Sequence, residues 1–512
     1  MPKKSRLAQI LTIGILAFLI PLIYAIYTQQ IWEDFLITLR FSENFAQGKG
    51  MVYFGAEKIY GFTSALEMFI LSFCSFISGK ASYLTIIWLY RIISAAVLSL
   101  GCILLFLSFS EENKKINFKG LALNLLCLTE VKTIAFSANG METAFLFFFF
   151  SWFIFLTASG KLKNYLYLGI CFAGFIWTRP DGCIYIAALS LSLLLFNPLP
   201  HKDTLKILLK AIALSALLYS PWLILSWLYY GNPIPHTILA KKHLLIFPAN
   251  LEEFITKLGM VFEGTLGPIY YQSEYSSWPG WIRFFTRITG FFAFIYWLMP
   301  TKDKIGKIAS LTYFLLCLYM VPIRKFPWYF PPLALLTLTA IVSGYFRKNN
   351  LINALIFLSI FSCLAFIFTI SSYQMRIQQK EIEMNVRRQA GLWLKDNVRG
   401  NETVYSESLG YVGYFSQAKM LDYPGLVSAE VRKFLENNKE ADFYTTANNL
   451  KPDWMVLRRH EAVKLSLLSE YFRLHYRQMA SFDATRNLEN YQNMPGIEVL
   501  LGDAQFLIFK KI

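Results

Sequence analysis

Three features of the 512-residue sequence predict a polytopic α-helical membrane protein that ends in a soluble α/β domain. Apolar runs of about 15 to 25 residues recur up to roughly residue 371, the length that a bilayer about 30 Å thick requires of a spanning helix. The composition is 55% hydrophobic, 17% aromatic and 16% charged, with a mean hydropathy of +0.42. An ordinary soluble domain carries about 25% charged residues. From Ser371 onward the apolar runs shorten and charge rises, with 19 Lys+Arg against 17 Asp+Glu, so most of the net charge of +16 lies in the membrane half.

In chain order, Met1–Arg6 (MPKKSR) precede the first apolar run. No small-residue cleavage site follows cleanly and the run is long enough to span, so it reads as an uncleaved first helix with a cytoplasmic N-terminus. Spanning segments are expected at 8–27, 84–109, 120–138, 143–159, 165–178, 183–197, 205–229, 284–299, 306–322, 328–345 and 351–371, about 11 crossings in all. A crossing at Phe62–Ser78 would invert the parity of the loops, so that run is expected to dip or lie along the membrane. Lysine-rich turns at Lys114–Lys119, Lys161–Lys163, His201–Lys206, Lys302–Lys307 and Arg347–Lys348 fall on the cytoplasmic side. The loop after the first helix, Gly140–Thr143, Arg179–Asp181, Gly231–Arg283, Arg324–Trp328 and the tail then face outward. Gly231–Arg283 carries GNPIPH, GTLGPIYY and SSWPGW, the aromatic and Gly/Pro punctuation of a loop lying along the interface.

All seven cysteines lie in or beside apolar runs and no CxxC occurs, which argues against a disulfide framework or a cysteine zinc site. The positive charge is assigned to cytoplasmic loops, or otherwise to contacts with anionic lipid or a phosphate-bearing substrate, and not to nucleic acid. In the tail, Gln374–Val398 has helical spacing, and Thr403–Tyr405, Trp454–Leu457 and Phe506–Phe509 read as strands. The expected division is a transmembrane catalytic domain at 1–372, with outer loops 28–62 and 231–283, and a soluble domain at 373–512.

The chemistry is expected to centre on Glu33 and Asp34, side by side where the first helix leaves the hydrocarbon. Adjacent carboxylates there are costly unless they hold a metal or act as a base; as solvated acids they would favour a helix N-terminus. Arg40 and Glu43 follow on one helical face, and Glu57 returns to the same loop. Glu142 sits in a polar break, Asn139–Thr143. Arg179 and Asp181 flank the turn-forming Pro180 in TRPDG, as site residues or as an internal ion pair. His236 precedes Lys241 and Lys242. With Arg324 and Lys325, these lysines are cations on the outer face, suited to a phosphate or pyrophosphate. Trp328 and Tyr329 beside them are binding residues or interfacial anchors. Carboxylates, a candidate ligand and cations are thus expected on one side of the membrane.

The stretch EDFLITLRFSENFAQGKGMVYF, then YGFTS, resembles the first outer loop of bacterial GT-C glycosyltransferases, nearest the group that contains mycobacterial terminal arabinofuranosyltransferases and related envelope enzymes. GMET at 140–143, TRPDG at 178–182, YGNPIPHT at 230–237, LDYPGLV at 421–427 and KPDWMVL at 451–457 follow in the family's order, so the resemblance spans nearly the whole chain. The usual Asp-Asp pair is Glu33-Asp34 here, which leaves open which acid is the base.

The resemblance implies a GT-C fold and an inverting enzyme of the bacterial inner membrane. It would move a sugar, a pentose in the nearest group, from a polyprenyl-phosphate donor to an envelope glycan or lipopolysaccharide acceptor. It places the active site and the C-terminal domain on the periplasmic side. Glu33 or Asp34 would be the general base; Glu33, Asp34 and His236 would hold any divalent cation. Arg40, Glu57, Glu142, Arg179, Asp181, Lys241, Lys242, Arg324, Trp328 and Tyr329 would line the site. Two other classes compete. A transporter or flippase of a lipid-linked sugar would need charges along a path through the bilayer, and an anchored assembly protein would tolerate loss of Glu33 and Asp34.

Overall fold

The computed structural model describes residues 2–79, 82–109, 117–197, 199–240, 245–269, 277–346 and 351–512. The chain forms two compact units. The first gathers Met1–Tyr27, Ile87–Trp222 and Leu244–Tyr373; the second gathers Thr28–Ile86, Leu223–His243 and Gln374–Ile512.

Apolar sequence becomes helix because a bilayer offers backbone groups no partner outside their own segment. Among the described residues, Ser5–Thr28, Tyr83–Ser108, His201–Tyr230 and Leu351–Asn397 are each long and apolar enough to cross a membrane. Shorter apolar helices run over Ala65–Ser78, Thr143–Ala158, Tyr165–Thr178, Gly182–Phe196 and Pro331–Tyr345. Aromatic edges lock those of the first unit together: the Phe150 ring lies 4.7 Å from Phe175 and 5.3 Å from Tyr185. Gly174 lets the Phe149 ring approach so closely that a Cβ would meet it at 2.1 Å, the close contact that small residues permit in membrane helices.

Two expectations need correction. The segment 120–138 is not one straight span but two helices, Phe118–Thr129 and Val131–Ala138, bent by 64°. Glu130 causes the break, because its carboxylate leaves the helix to cap the next one, accepting the N–H groups of Lys132 at 3.2 Å and Thr133 at 2.7 Å. Fully buried Lys132 returns to Glu130 at 2.9 Å and donates to the Gly267 carbonyl. The second correction concerns Gly231–Arg283, which holds helices at His236–Ala240 and Leu251–Leu266 where a loop was expected.

The second unit contains a five-stranded sheet of β1 (Thr403–Ser406), β2 (Lys419–Asp422), β3 (Trp454–Arg458), β4 (Tyr476–Asp483) and β5 (Gln505–Lys511), in the order β2-β1-β3-β5-β4. β1 runs parallel to β2 and β3, whereas β5 runs antiparallel to β3 and β4. Tyr405, Leu421, Val431, Met455, Leu457, Leu465 and Phe472 form its core. The helix that begins at Leu351 changes winding at Gln378, runs as a π-helix to Arg387 and resumes as an α-helix at Arg388–Asn397. Its residues Gln379, Glu383 and Arg387 are buried, as are Phe35 to Ser42 of the Glu33–Ala46 helix in the same unit.

Candidate functional site

Extended backbone at Trp32 ends the preceding segment, so a new helix begins at Glu33 with both acids in its first turn, where they favour the helix dipole. The two acids then part in role. Glu33 Oε2 lies 3.0 Å from Arg387 Nη1, and its Oε1 accepts the Gly410 N–H at 3.1 Å. Arg387 also holds Glu383 at 2.9 Å and Asp503 at 2.6 Å. Asp503 in turn meets Arg458 at 2.5 Å, which pairs with Glu407 at 2.6 Å and Glu461 at 2.7 Å.

The backbone just before the acids is fixed as well. The Ile31 N–H donates to Gln379 Oε1 at 3.0 Å, and the Tyr411 hydroxyl donates to the Ile31 carbonyl at 3.0 Å. Burial pushes the Glu33 carboxyl up to about 8, against the pull of Arg387 and with the charges of Glu383, Glu407 and Asp34 adding to the rise. Burial opposes ionisation of Asp503 too, yet Arg387 and Arg458 together hold it below the usual carboxylate range. Asp34 is half-buried beside this array.

Other expected site residues of this unit have partners within the protein. Arg40 is buried; it donates to the Gly413 carbonyl at 2.6 Å and lies 4.2 Å over the Tyr53 ring. Glu43 accepts the Tyr414 hydroxyl at 2.9 Å. Glu57 is a surface residue 3.3 Å from Lys419. The backbone N–H of His236 donates to the Tyr60 carbonyl at 2.9 Å, and its Nε2 accepts from Arg432. Burial and the Arg432 charge push His236 down to about 4.

The expected metal ligands Glu33, Asp34 and His236 therefore do not fit a cation as a set. Arginine, itself a cation, faces both Glu33 and His236. Among the described residues, no group of three or more His, Cys, Asp or Glu side chains is placed to hold a metal.

The sequence motifs meet as scaffold. Tyr60 stacks on Tyr230 at 5.0 Å, Thr63 and Thr237 hydroxyls lie 3.3 Å apart, and a Cβ at Gly61 would stand 2.7 Å from the Leu426 carbonyl oxygen. Asp422 accepts the Leu426 N–H at 2.5 Å and the Val427 N–H at 2.9 Å, tying LDYPGLV into a turn. Burial pushes its carboxyl up to about 6, against these backbone donors.

In the first unit, Arg179 pairs with Glu142 at 2.5 Å and Asp181 at 2.8 Å, with its guanidinium 5.1 Å over Tyr329. This extends the internal Arg–Asp pair weighed from TRPDG to a buried triad. Trp328 stacks on Phe326 at 4.8 Å, and Arg324 lies 5.5 Å over that same ring. Lys325 donates to the Val321 and Ile323 carbonyls, and burial pushes its ammonium down to about 8. Lys241 and Lys242 lie outside the described residues.

Arg387, Glu383, Asp503 and Arg458 escaped the sequence reading. The available signal was the four-residue spacing of Gln379, Glu383 and Arg387, which places polar groups on one face of a helix.

Residues 373–505 match the family described as a domain of unknown function (DUF8728). No curated protein matches the chain in sequence. Solved structures are similar in fold. ArnT from Cupriavidus metallidurans in the apo state superimposes with a TM-score of 0.58 at 10% identity, over 99% of this chain and 98% of that one. The same protein bound to undecaprenyl phosphate gives 0.56 at 10% identity over 98% of each chain. The Archaeoglobus fulgidus oligosaccharyltransferase tethered with an acceptor peptide gives 0.53 at 12% identity, over 88% of this chain and 69% of that one.

Proposed function

We propose, from a fold shared with ArnT and the archaeal oligosaccharyltransferase, that this chain is a GT-C membrane glycosyltransferase that transfers a sugar from a polyprenyl-phosphate donor to a hydroxyl of a cell-envelope glycan or lipopolysaccharide. The observation that carries the reading is the likeness over nearly the full length of both chains to a protein seen with undecaprenyl phosphate bound. A pentose is the sugar that the sequence resemblance favours, and the bacterial inner membrane, with the site facing the periplasm, is the setting.

Asp34 is the general base. Its neighbour Glu33 is held by Arg387 and the Gly410 N–H, and Asp34, the next residue in the same first helical turn, is the acid proposed to take the proton from the acceptor hydroxyl. The freed oxygen attacks the anomeric carbon, the bond from that carbon to the phosphate oxygen breaks, and the prenyl phosphate departs with the electron pair. Inversion follows from a single displacement. From sequence alone, Lys241 and Lys242, which lie outside the described residues, are proposed as point charges that would offset the growing negative charge of the leaving phosphate. Base catalysis of this kind contributes about 10²- to 10⁴-fold.

The test uses the full chain in detergent with a panel of radiolabelled polyprenyl-phosphate sugars and a membrane glycan extract. Label should move to the extract with wild type and fall by about 10²-fold or more with Asp34→Asn. With the same protein reconstituted into vesicles, label crossing the membrane without transfer would establish a transporter instead, and equal transfer by Asp34→Asn would remove Asp34 from the mechanism.

A further inference from the structure

We propose that the π-helical stretch Gln378–Arg387 is a bracket that sets the position of the acid pair, with Arg387 as its positioning residue. The inference rests on the glycosyltransferase reading above. Gln379, Glu383 and Arg387 follow one another at four-residue intervals, and all three are 3 to 5% exposed. Each engages the turn that carries Asp34, or the group that does so. Gln379 Oε1 takes the Ile31 N–H at 3.0 Å, Arg387 takes Glu33 at 3.0 Å, and Glu383 holds Arg387 at 2.9 Å. Gln379 Nε2 donates to the Tyr411 hydroxyl at 3.0 Å, and that hydroxyl donates to the Ile31 carbonyl at 3.0 Å.

Ile31 and Glu33, on either side of Trp32, are thus tied to one helix, and Asp34 comes next in the chain. The other nitrogen of Arg387 is anchored on Asp503, just before β5, so the sheet stands behind the bracket. Ten residues of π-helix are uncommon, and the single-turn bulges in which such winding mostly occurs are frequent at functional sites. In a bilayer-proximal carboxylate pair, two ionised neighbours would repel. Arg387 and the Gly410 N–H fix where Glu33 sits, and with it the start of the turn that carries Asp34.

This assigns Glu33 the part of a strut. An amide at 33 still accepts one hydrogen bond, from Arg387 or Gly410, whereas an amide at 34 cannot take a proton. The experiment uses the full-length protein in detergent with the donor that wild type turns over. Arg387→Ala should lower kcat by about 10- to 100-fold with the donor KM within about threefold, as a misplacement near 1 Å does. Arg387→Lys should recover most of that loss, and Glu33→Gln should stay within about tenfold of wild type while Asp34→Asn does not.

Amide hydrogen exchange read by mass spectrometry supplies a measurement independent of turnover. In Arg387→Ala, exchange over residues 30–36 should rise by about tenfold or more, while β1 and β3 keep wild-type protection. Unchanged exchange over 30–36, or wild-type kcat in Arg387→Ala, would overturn the bracket. So would a Glu33→Gln variant as inactive as Asp34→Asn, because Glu33 would then be the base. If wild type transfers no sugar, the function fails, and the exchange result still decides whether the bracket exists.

Discussion

Gly410→Ala is the sharpest single test of how tightly the acid pair is seated. Gly410 lies in the first turn of the Leu409–Ser416 helix. On helix propensity alone, alanine there should stabilise by about 1 kcal/mol. A Cβ at this position would stand 2.2 Å from Glu33 Cγ and 2.3 Å from the Glu33 carbonyl oxygen. Both distances are far inside van der Waals contact, and the second is to backbone that a rotamer change cannot relieve. Overpacking costs about 1 to 3 kcal/mol, and contacts this short belong at the upper end. The net expectation is a loss of about 1 to 2 kcal/mol, since the clash outweighs the propensity gain. The variant is measured by thermal unfolding in detergent beside wild type, with sugar transfer assayed on the same samples. A lower midpoint with a fall in kcat is expected, because the first turn of the Glu33–Ala46 helix must shift. A midpoint equal to or above that of wild type would show that the helix gain is realised and the contact is not built as described.

Asp422→Ala leaves the Leu426 and Val427 N–H groups without their acceptor; a loss of about 1 to 3 kcal/mol is expected in thermal unfolding, with Asp422→Asn intermediate. Lys132→Met leaves Glu130 charged and buried, which should cost about 3 to 5 kcal/mol, and adding Glu130→Gln should recover most of it in the same assay. The His236 value of about 4 lies below the ordinary 6.5, so the unfolded chain binds the extra proton between those values. Stability should therefore fall as pH drops through that window, and His236→Gln should flatten the dependence in a pH series of unfolding midpoints.

The apolar helices were legible because hydrophobicity is a property of each segment by itself, although among the described residues only four of them are long enough to cross a membrane. Expected bounds such as 143–159 and 165–178 correspond to helices Thr143–Ala158 and Tyr165–Thr178. The bend at Glu130 was not legible, since a capping carboxylate inside an apolar run looks like any other polar interruption. β1, β3 and β5 announced themselves by short apolar runs. β2 reads Lys-Met-Leu-Asp, with a charge at each end, and β4 reads Tyr-Arg-Gln-Met-Ala-Ser-Phe-Asp, with mostly exposed residues and a register shift at Gln478/Ala480. The acids drew attention by sitting side by side at a membrane boundary. Their division of labour could not be read there, because the residue that separates them, Arg387, lies 354 positions away in sequence. His236 misled for the complementary reason: its Arg432 partner lies in the tail, 196 positions on.

The π-wound stretch also makes the chain sensitive to length at one place. Removing one residue between Gln378 and Arg387 would turn everything after it by one residue's share of a π-helical turn and draw it back by one residue's rise. Arg387 would then point away from Glu33 even though every side chain in the pairing survived. Substitutions along this stretch change the strength of a contact, whereas an insertion or deletion changes its phase. Sequences that share the acid pair should therefore hold the number of residues between the last spanning helix and this arginine more constant than the identities of those residues.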